Sequence, residues 1–381
     1  MNVRRMAVVV AAALACVAAQ AAPAERWEQW RGLPGVFDIV GPRMDGRLVA
    51  AGTGRLFLVD ADGTITPYAD GYRTDPAFEN YIAVAPSPAP AGPGCSFMPD
   101  EVFALEIGGP VRIIRVDTAG RASTFVDLPG YEFLSGLEFD TVGRFANRLL
   151  VTARKVGSGG RTSVLAIDCR DQVTTIMDNG PVVEGGLAVA PLTFGRFAGA
   201  LIAPDEHGGD IVAFRPDGTS EVVFNPNLAT GADVGVESLG FVPRDFFPNG
   251  VAYVADRLSP GAPTIGTDTI LRLTGVALAR AGVREGDLLV STESVGRTIA
   301  VRCEATCTVI PVAEATAAAH IEGHITAVLP PALDLATTVP PPTGPGRATP
   351  WGLVAGVATA AVLTAGLVWF AVRRRHAVDG P

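Results

Sequence analysis

The chain has very little lysine, histidine and cysteine. Lys155 is the only lysine among 30 basic residues, and there are four histidines and five cysteines in 381 residues. Acidic residues number 39, which gives a net charge of −9 at pH 7 and a pI near 5.0. Because an acidic surface repels a phosphate backbone, this composition argues against binding to nucleic acid.

Several motifs that identify enzyme classes are also missing. The sequence contains no Gly-x-Ser-x-Gly elbow, no P-loop and no dinucleotide-binding fingerprint. The cysteines lack the paired Cys-x-x-Cys spacing of zinc sites. Any chemistry must therefore be inferred from where acidic residues and histidines fall in the fold.

The N-terminal segment, residues 1–24, is predicted to be a secretory signal peptide. Arg4 and Arg5 precede an apolar stretch at 6–19, and small residues around Ala19 and Ala21 suit cleavage. Cys16 leaves open an alternative, in which the segment is a lipoprotein signal.

The C-terminal segment is predicted to anchor the chain in a membrane. Residues 351–372 form an uncharged apolar run long enough to span a bilayer, and the arginine-rich tail at 373–381 favours a cytoplasmic end. Residues 330–350 are rich in proline and are predicted to form an extended stalk. The expected location is the cell membrane, single-pass, with the N-terminal domain outside; a processed sorting signal is the alternative.

Short alternating segments recur through the remainder of the chain, most of them at intervals of roughly fifty residues, the period of a propeller blade. They lie at 56–60, 111–117, 164–168, 211–215, 270–273 and 299–302. Turns containing Asp and Gly, such as 60–63 and 216–218, follow several of them. We therefore predict an all-β, six-bladed β-propeller over residues 25–329. A strand within 257–268 would make it seven-bladed, and 276–281 is expected to be a strand of the fifth or sixth blade.

Four cysteines lie within the predicted propeller. An even number in an oxidising compartment favours disulfides. Cys303 and Cys307 flank a predicted hairpin turn, and Cys95 and Cys169 fall in loops expected on one face of the propeller. The predicted pairs are Cys303–Cys307 and Cys95–Cys169.

Glutamates recur just before the predicted innermost strands, at one mouth of the central channel. They are Glu79, Glu184, Glu237 and Glu322. Converging carboxylates repel one another unless a cation, a proton or an arginine neutralises them. Oxygen ligands of this kind suit Ca²⁺ or another divalent cation, so we predict a metal site there. The alternative is that each glutamate caps the backbone of a neighbouring strand.

Three of the four histidines are predicted near the same mouth. Asp205 and His207 lie in one loop, and His320 and His324 flank Glu322. Alternation along a strand would place His320, Glu322 and His324 on one face. We predict ligand binding by Asp205, His207, His320 and His324, since histidine serves as a base or a ligand near neutral pH.

The repeat units at 54–68, 184–189 and 209–223 resemble those of the NHL and regucalcin/gluconolactonase-like six-bladed propellers over about residues 30–328. The lactonase branch uses Ca²⁺ or Zn²⁺ held by one Glu, two Asn and one Asp. The resemblance implies that Glu79 or Glu184 takes the place of the Glu, while the two Asn and the Asp have no evident counterparts. A His–Glu pairing like that of streptogramin lyases is also conceivable.

Three functions remain open from the sequence. The first is a membrane-anchored propeller that binds a small molecule, a polysaccharide or a surface protein, with or without a divalent cation. The alternative is a metal-dependent lactonase or hydrolase of the regucalcin/gluconolactonase type. The third is a purely structural adhesion module.

Overall fold

The computed structural model describes residues 25–87 and 94–329. The predicted signal peptide, stalk, membrane span and tail lie outside the described residues. Among the residues described, no helix is both long and apolar enough to cross a bilayer.

Two short strands begin the described chain, and four blades then follow in sequence order. The first two strands are β1 (Glu25–Arg26) and β2 (Glu28–Gly32). Blade 1 comprises β3 (Val36–Val40), β4 (Leu48–Gly52), β5 (Arg55–Val59) and β6 (Ile65–Tyr68). Blade 2 comprises β7 (Ile82–Val84), β8 (Val102–Glu106), β9 (Arg112–Val116) and β10 (Ala122–Asp127).

Blades 3 and 4 repeat the same up-and-down order. Blade 3 comprises β11 (Tyr131–Phe139), β12 (Leu149–Lys155), β13 (Thr162–Ile167) and β14 (Val173–Gly180). Blade 4 comprises β15 (Ala188–Val189), β16 (Leu201–Pro204), β17 (Ile211–Phe214) and β18 (Ser220–Phe224), with a 3₁₀ turn at Gly195–Phe197.

The remaining strands build two further blades whose chain segments interleave. They are β19 (Val236–Phe241), β20 (Val251–Asp256), β21 (Thr269–Thr274), β22 (Leu288–Thr292), β23 (Thr298–Cys303), β24 (Cys307–Glu314) and β25 (Ile321–Val328). Blade 5 has the order β19-β22-β23-β24-β1, and blade 6 has the order β25-β20-β21-β2. The described residues thus form a six-bladed β-propeller, as predicted.

The ring closes with strands from both ends of the described chain. β2 pairs with β21 in blade 6, and β1 pairs in parallel with β24 in blade 5. β25, the last strand, is the innermost strand of blade 6 and packs between β19 and β3. This closure covers sheet edges that would otherwise be open to pairing with another chain.

Burial separates the inner strands from the outer ones. Every residue of β3 and β4 is buried, whereas β6 and β10 have no buried residue. Between blades 2 and 3, the rings of Phe97, Phe103 and Phe139 pack edge to face with centroids 5.0–5.5 Å apart. Apolar inner strands therefore supply the core between blades, and their two ends define the two mouths of the channel.

Residues 276–281 do not form a strand, and that prediction was wrong. The helix α1 (Gly275–Arg280) begins after Thr274, whose hydroxyl accepts a hydrogen bond from the Ala277 amide at 3.3 Å. Such an N-cap satisfies one of the free amides of a helix terminus, and the alanines that follow favour helix. Residues 257–268 contain no strand, so the seven-bladed alternative is not realised.

Both predicted disulfides are present. Cys95–Cys169 joins blades 2 and 3 across a sequence separation of 74, and Cys303–Cys307 closes the hairpin of β23 and β24.

We expect the Cys95→Ala/Cys169→Ala variant to lose about 2–4 kcal/mol of unfolding free energy, because this bridge closes a long loop in the unfolded chain. The measurement is urea unfolding followed by circular dichroism. In excess dithiothreitol the wild type and the variant should have the same stability. Equal stabilities without reductant would show that the bridge contributes nothing.

Candidate functional site

One mouth of the channel, where the inner strands begin, contains a buried tyrosine surrounded by carboxylates. The Tyr81 hydroxyl lies 2.7 Å from Glu237 Oε1, 3.2 Å from Glu79 Oε2 and 3.3 Å from Glu322 Oε2. Tyr81, Glu237 and Glu322 are each at most 3% exposed. Three of the four predicted glutamates, from blades 2, 5 and 6, therefore converge on one hydroxyl. We call this group the tyrosine cluster.

Arg257 neutralises part of that negative charge. Its guanidinium binds Glu79 and lies 3.3 Å from Glu322 Oε1, at the end of β20. These carboxylates raise the pKa of Arg257 above its usual value even though burial opposes the charged form. Arginine was one of the three forms of neutralisation expected from the sequence.

A second group of side chains adjoins the tyrosine cluster and contains His320. Its Nε2 lies 2.8 Å from Glu293 Oε1 and 3.2 Å from Glu322 Oε1. Asp233, Glu293 and His320 each offer a ligand atom within 4.8 Å of the other two. We call Asp233, Glu293 and His320 the triad. It borders a cavity of about 620 Å³ that Glu79 and Arg257 also line.

Two buried polar atoms in and beside the triad meet no donor or acceptor of fixed position among the described residues. They are His320 Nδ1 and Glu206 Oε1. The Glu206 side chain hydrogen-bonds to that of Glu293, so a proton shared by the two carboxyl groups would satisfy it. Buried polar atoms are nearly always paired, and His320 Nδ1, on a residue that is 1% exposed, therefore indicates a missing ligand, ion or water.

Burial and mutual repulsion shift the acidities of this mouth upward. Burial, followed by repulsion from Glu322, raises the pKa of Glu79 to about 8. The same causes raise the pKa of Glu237 well above its ordinary value, and those of Glu206 and Glu293 are raised as well. Raised pKa values favour the protonated form of these groups unless a cation replaces the proton.

Glu184, the fourth predicted glutamate, lies apart from the tyrosine cluster. Arg154 Nη2 binds its Oε2 at 2.6 Å. Burial raises the pKa of Glu184 despite this arginine. Its charge is already matched by Arg154, so Glu184 is less available to a metal ion than its sequence position indicates.

The loop that contains Asp205 and His207 contributes less than predicted. Asp205 Oδ1 accepts a hydrogen bond from the Gly208 amide, which stabilises the turn. The His207 ring is 62% exposed and lies 3.6 Å from Glu206. Glu206, between Asp205 and His207, is the residue of this loop whose side chain contacts the triad, at Glu293.

His324 does not share a face with His320 and Glu322, contrary to the alternation expected for a regular strand. Gly323 has a positive φ of 69°, and the pairing of β25 with β20 shifts at this point. A Cβ at position 323 would lie 2.5 Å from Asp38 Oδ1, so only glycine fits. This bulge turns His324 away from the carboxylate mouth, and its Nδ1 lies 3.0 Å from Asp38 Oδ1.

Several functional candidates were missed from the sequence. Tyr81 directly precedes β7 and Arg257 directly follows β20, and Glu293, Asp233 and Asp38 lie in no recurring motif. The only available signal was the position of Tyr81 two residues after Glu79. Glu293 meets its partners because the interleaved blades 5 and 6 bring β22 near β25, and Asp38 meets His324 because β25 packs on β3.

No family model matches the chain, and no curated protein does. Solved structures of low similarity do. Virginiamycin B lyase from Staphylococcus aureus is 14% identical, with 73% of this chain and 84% of that chain covered and a TM-score of 0.39. A streptogramin B lyase is 11% identical, with 75% and 87% covered and a TM-score of 0.39.

A luciferin-regenerating enzyme is 11% identical, with 75% of this chain and 80% of that chain covered and a TM-score of 0.41. The strand order of the described residues confirms the resemblance inferred from the repeats as far as a six-bladed propeller, and the NHL or regucalcin/gluconolactonase assignment stays a prediction.

Proposed function

We propose that the protein binds a small ligand at the carboxylate mouth of its channel, through a divalent cation held by the triad Asp233, Glu293 and His320. The observation that carries the proposal is the approach of these three donors to within 4.8 Å, with His320 Nδ1 unpaired. A bound cation would pair with a donor that the described protein leaves unpaired. It would also offset the carboxylate excess that Arg257 neutralises only in part.

The donor set bears on the identity of the cation. The sequence led us to expect Ca²⁺, which prefers six to eight oxygen ligands. A triad of two carboxylates and one imidazole suits Zn²⁺ or Mn²⁺ better, because imidazole is a common ligand of these metals. We therefore propose a transition-metal ion in preference to calcium.

The surroundings of the triad support a small-molecule ligand. The adjoining cavity of about 620 Å³ is within the size range of small-molecule sites, and Asp233 gives it an exposed edge. We retain a polysaccharide or a surface protein as further proposed partners. The two disulfides favour an oxidising compartment, and we propose that this compartment is the outer side of the cell membrane.

A metal-dependent hydrolase or lactonase is a second candidate. The observation that favours it is Glu206, a buried carboxyl group beside the triad that is not one of the three proposed donors and whose pKa burial raises. A carboxyl group with a raised pKa next to a bound cation suits general acid–base catalysis. Hydrolysis of a lactone by the metal-loaded protein, abolished by Glu206→Gln while metal affinity is retained, would favour this candidate over simple binding.

The proposed cation site is tested by titrating the full-length protein, freed of metal with EDTA and dialysed, with Zn²⁺, Mn²⁺, Ca²⁺ and Mg²⁺ in a calorimeter. We expect binding of one equivalent, tightest for Zn²⁺ or Mn²⁺. Asp233→Asn should weaken that binding at least tenfold, because it removes an anionic donor from an exposed position without disturbing the core.

The matched control for the cation site is Asp70→Asn, a change at an exposed aspartate of blade 1. It should leave the affinity as in the wild type. Absence of stoichiometric binding for all four ions, or equal affinities of Asp233→Asn and Asp70→Asn, would overturn the proposed cation site.

A further inference from the structure

The opposite mouth of the channel, where the inner strands end, contains a second cavity that the proposed function does not use. Its volume is about 530 Å³. Its walls are largely apolar and come from all six blades. They include Val40, Val84, Phe139, Val189, Phe241 and Ile325.

Two ionisable side chains line this cavity, among apolar residues and the hydroxyl side chains of Ser87, Thr141 and Thr326. The two ionisable residues are His324, whose side chain is 4% exposed, and Glu138. His324 Nδ1 contacts both oxygens of Asp38, at 3.0 and 3.1 Å, whereas Nε2 is buried and has no hydrogen-bond partner among the described residues. Asp38 thus fixes the His324 ring through Nδ1, and Nε2 is the nitrogen without a partner.

The pairing with Asp38 determines the protonation state of the His324 ring, and so whether Nε2 donates or accepts a hydrogen bond. Asp38 is fully buried, and no other cationic side chain bonds to it among the described residues. A buried carboxylate is stable when a cation is paired with it, which assigns the positive form to His324. Asp38 accordingly raises the pKa of His324 to about 9, although burial alone would lower it. In that form Nε2 carries a proton. The Leu137 backbone also favours the charged ring, but no acceptor among the described residues forms a hydrogen bond of good geometry with Nε2.

Glu138 is the second ionisable side chain of this lining. Burial raises its pKa, and its Oε1 already accepts a hydrogen bond from the Phe139 amide at 2.6 Å. A cavity with mostly apolar lining residues and a cationic donor on one side suits a ligand with a hydrophobic body and an oxygen anion.

We propose that this cavity is a second binding site, in which an organic carboxylate with an apolar body accepts a hydrogen bond from His324 Nε2. The site is separate from the triad, because one lies at the ends of the inner strands and the other at their beginnings. No metal ion is required for it.

The proposal is tested with 4-phenylbutyrate, titrated into the full-length protein in the presence of EDTA. We expect saturable binding at neutral pH. 4-Phenylbutanol and 4-phenylbutylamine, which have the same ring and chain without the carboxylate, should bind at least tenfold more weakly.

Two variants locate the binding. His324→Asn retains an amide at the position of Nδ1, so it can still bond to Asp38, but removes the donor at Nε2; affinity should fall at least tenfold. Val84→Trp fills part of the cavity from a half-buried position and should also weaken binding, which keeps the test decisive if the first variant is poorly folded. The control Glu132→Gln, at an exposed residue of β11, should bind as the wild type does.

Each alternative outcome contradicts the proposal. Equal affinity for 4-phenylbutanol would show an apolar cavity without anion recognition, and tighter binding of the amine would show that the cavity offers acceptors. Binding that EDTA abolishes, or that both variants leave unchanged, would place the ligand elsewhere.

Discussion

Replacing Asp38 by alanine is expected to destabilise the protein by about 3–5 kcal/mol. The Asp38 side chain accepts hydrogen bonds from the amides of Ile39, Ile82 and His324, each at 2.9 Å, and from the His324 ring. These partners belong to the innermost strands of blades 1, 2 and 6. Removing the carboxylate takes the acceptor away from three buried amides and leaves a buried imidazolium uncompensated, and such groups carry a penalty of this size.

Urea unfolding of Asp38→Ala measures this effect, with Asp45→Ala as the matched control. Asp45 bonds to Arg47 at 2.7 Å but is partly exposed, so its loss should change the unfolding free energy by less than about 1 kcal/mol. If both variants lost less than about 1 kcal/mol of unfolding free energy, the hydrogen bonds of Asp38 would not be what joins these three blades.

Without metal, the protein is expected to lose stability as the pH rises from 5 to 9. The pKa of Glu79 is raised from 4.5 to about 8, and that of Glu237 is raised well above 4.5, mainly by burial in both cases. Both groups hold protons in the folded state at pH values where the unfolded chain has released them. Folding therefore takes up protons, and stability falls as the pH rises above about 4.5.

His324 contributes in the same direction as these glutamates. Its pKa is raised from 6.5 to about 9 because Asp38 outweighs the effect of burial, so its stabilising charge is lost as the pH rises through that range. The combined loss should be on the order of 3 kcal/mol. Urea unfolding in EDTA at pH 5.5, 7 and 8.5 measures this loss of unfolding free energy. An unfolding free energy that rises with pH would contradict the raised pKa values.

Glu237→Gln tests the origin of this pH dependence. The amide is neutral at every pH, and its oxygen can still accept the hydrogen bond that Tyr81 donates to Glu237 at 2.7 Å. The variant should be more stable than the wild type at pH 8.5, by about 1–2 kcal/mol, and should show a shallower decline. Glu132→Gln, at an exposed position, should reproduce the wild-type curve.

Local patterns were sufficient to predict most of the propeller. The alternating segments, the Asp-Gly turns and the apolar inner strands each depend on neighbours a few residues away, and the structure has a strand at every one of the six repeat positions. The same holds for Cys303–Cys307, which spans a single hairpin. The segment 276–281 was misjudged because a short segment that is apolar apart from Arg280 fits a strand or a short helix, and Thr274 as an N-cap decided between them.

The order of strands within blades 5 and 6 was not predictable in this way. A strand that pairs within its own blade has the same alternating pattern as a strand that crosses to the next blade. The sequence therefore gives no sign that β20 and β21 belong to blade 6. The repeat spacing favoured consecutive pairing. Only the assembled ring shows that β19 and β22 are neighbours.

The sequence by itself determined the six-bladed ring, the disulfide pairs and a mouth rich in glutamate, because repeat period, turn chemistry and strand position are local properties. The tertiary structure decided which side chains meet. It placed Arg257 against Glu79, His320 against Glu293 and His324 against Asp38, pairs separated by 27 to 286 residues in sequence. Contacts of that kind depend on the order in which blades close and on one bulge at Gly323, and neither is encoded in a short pattern.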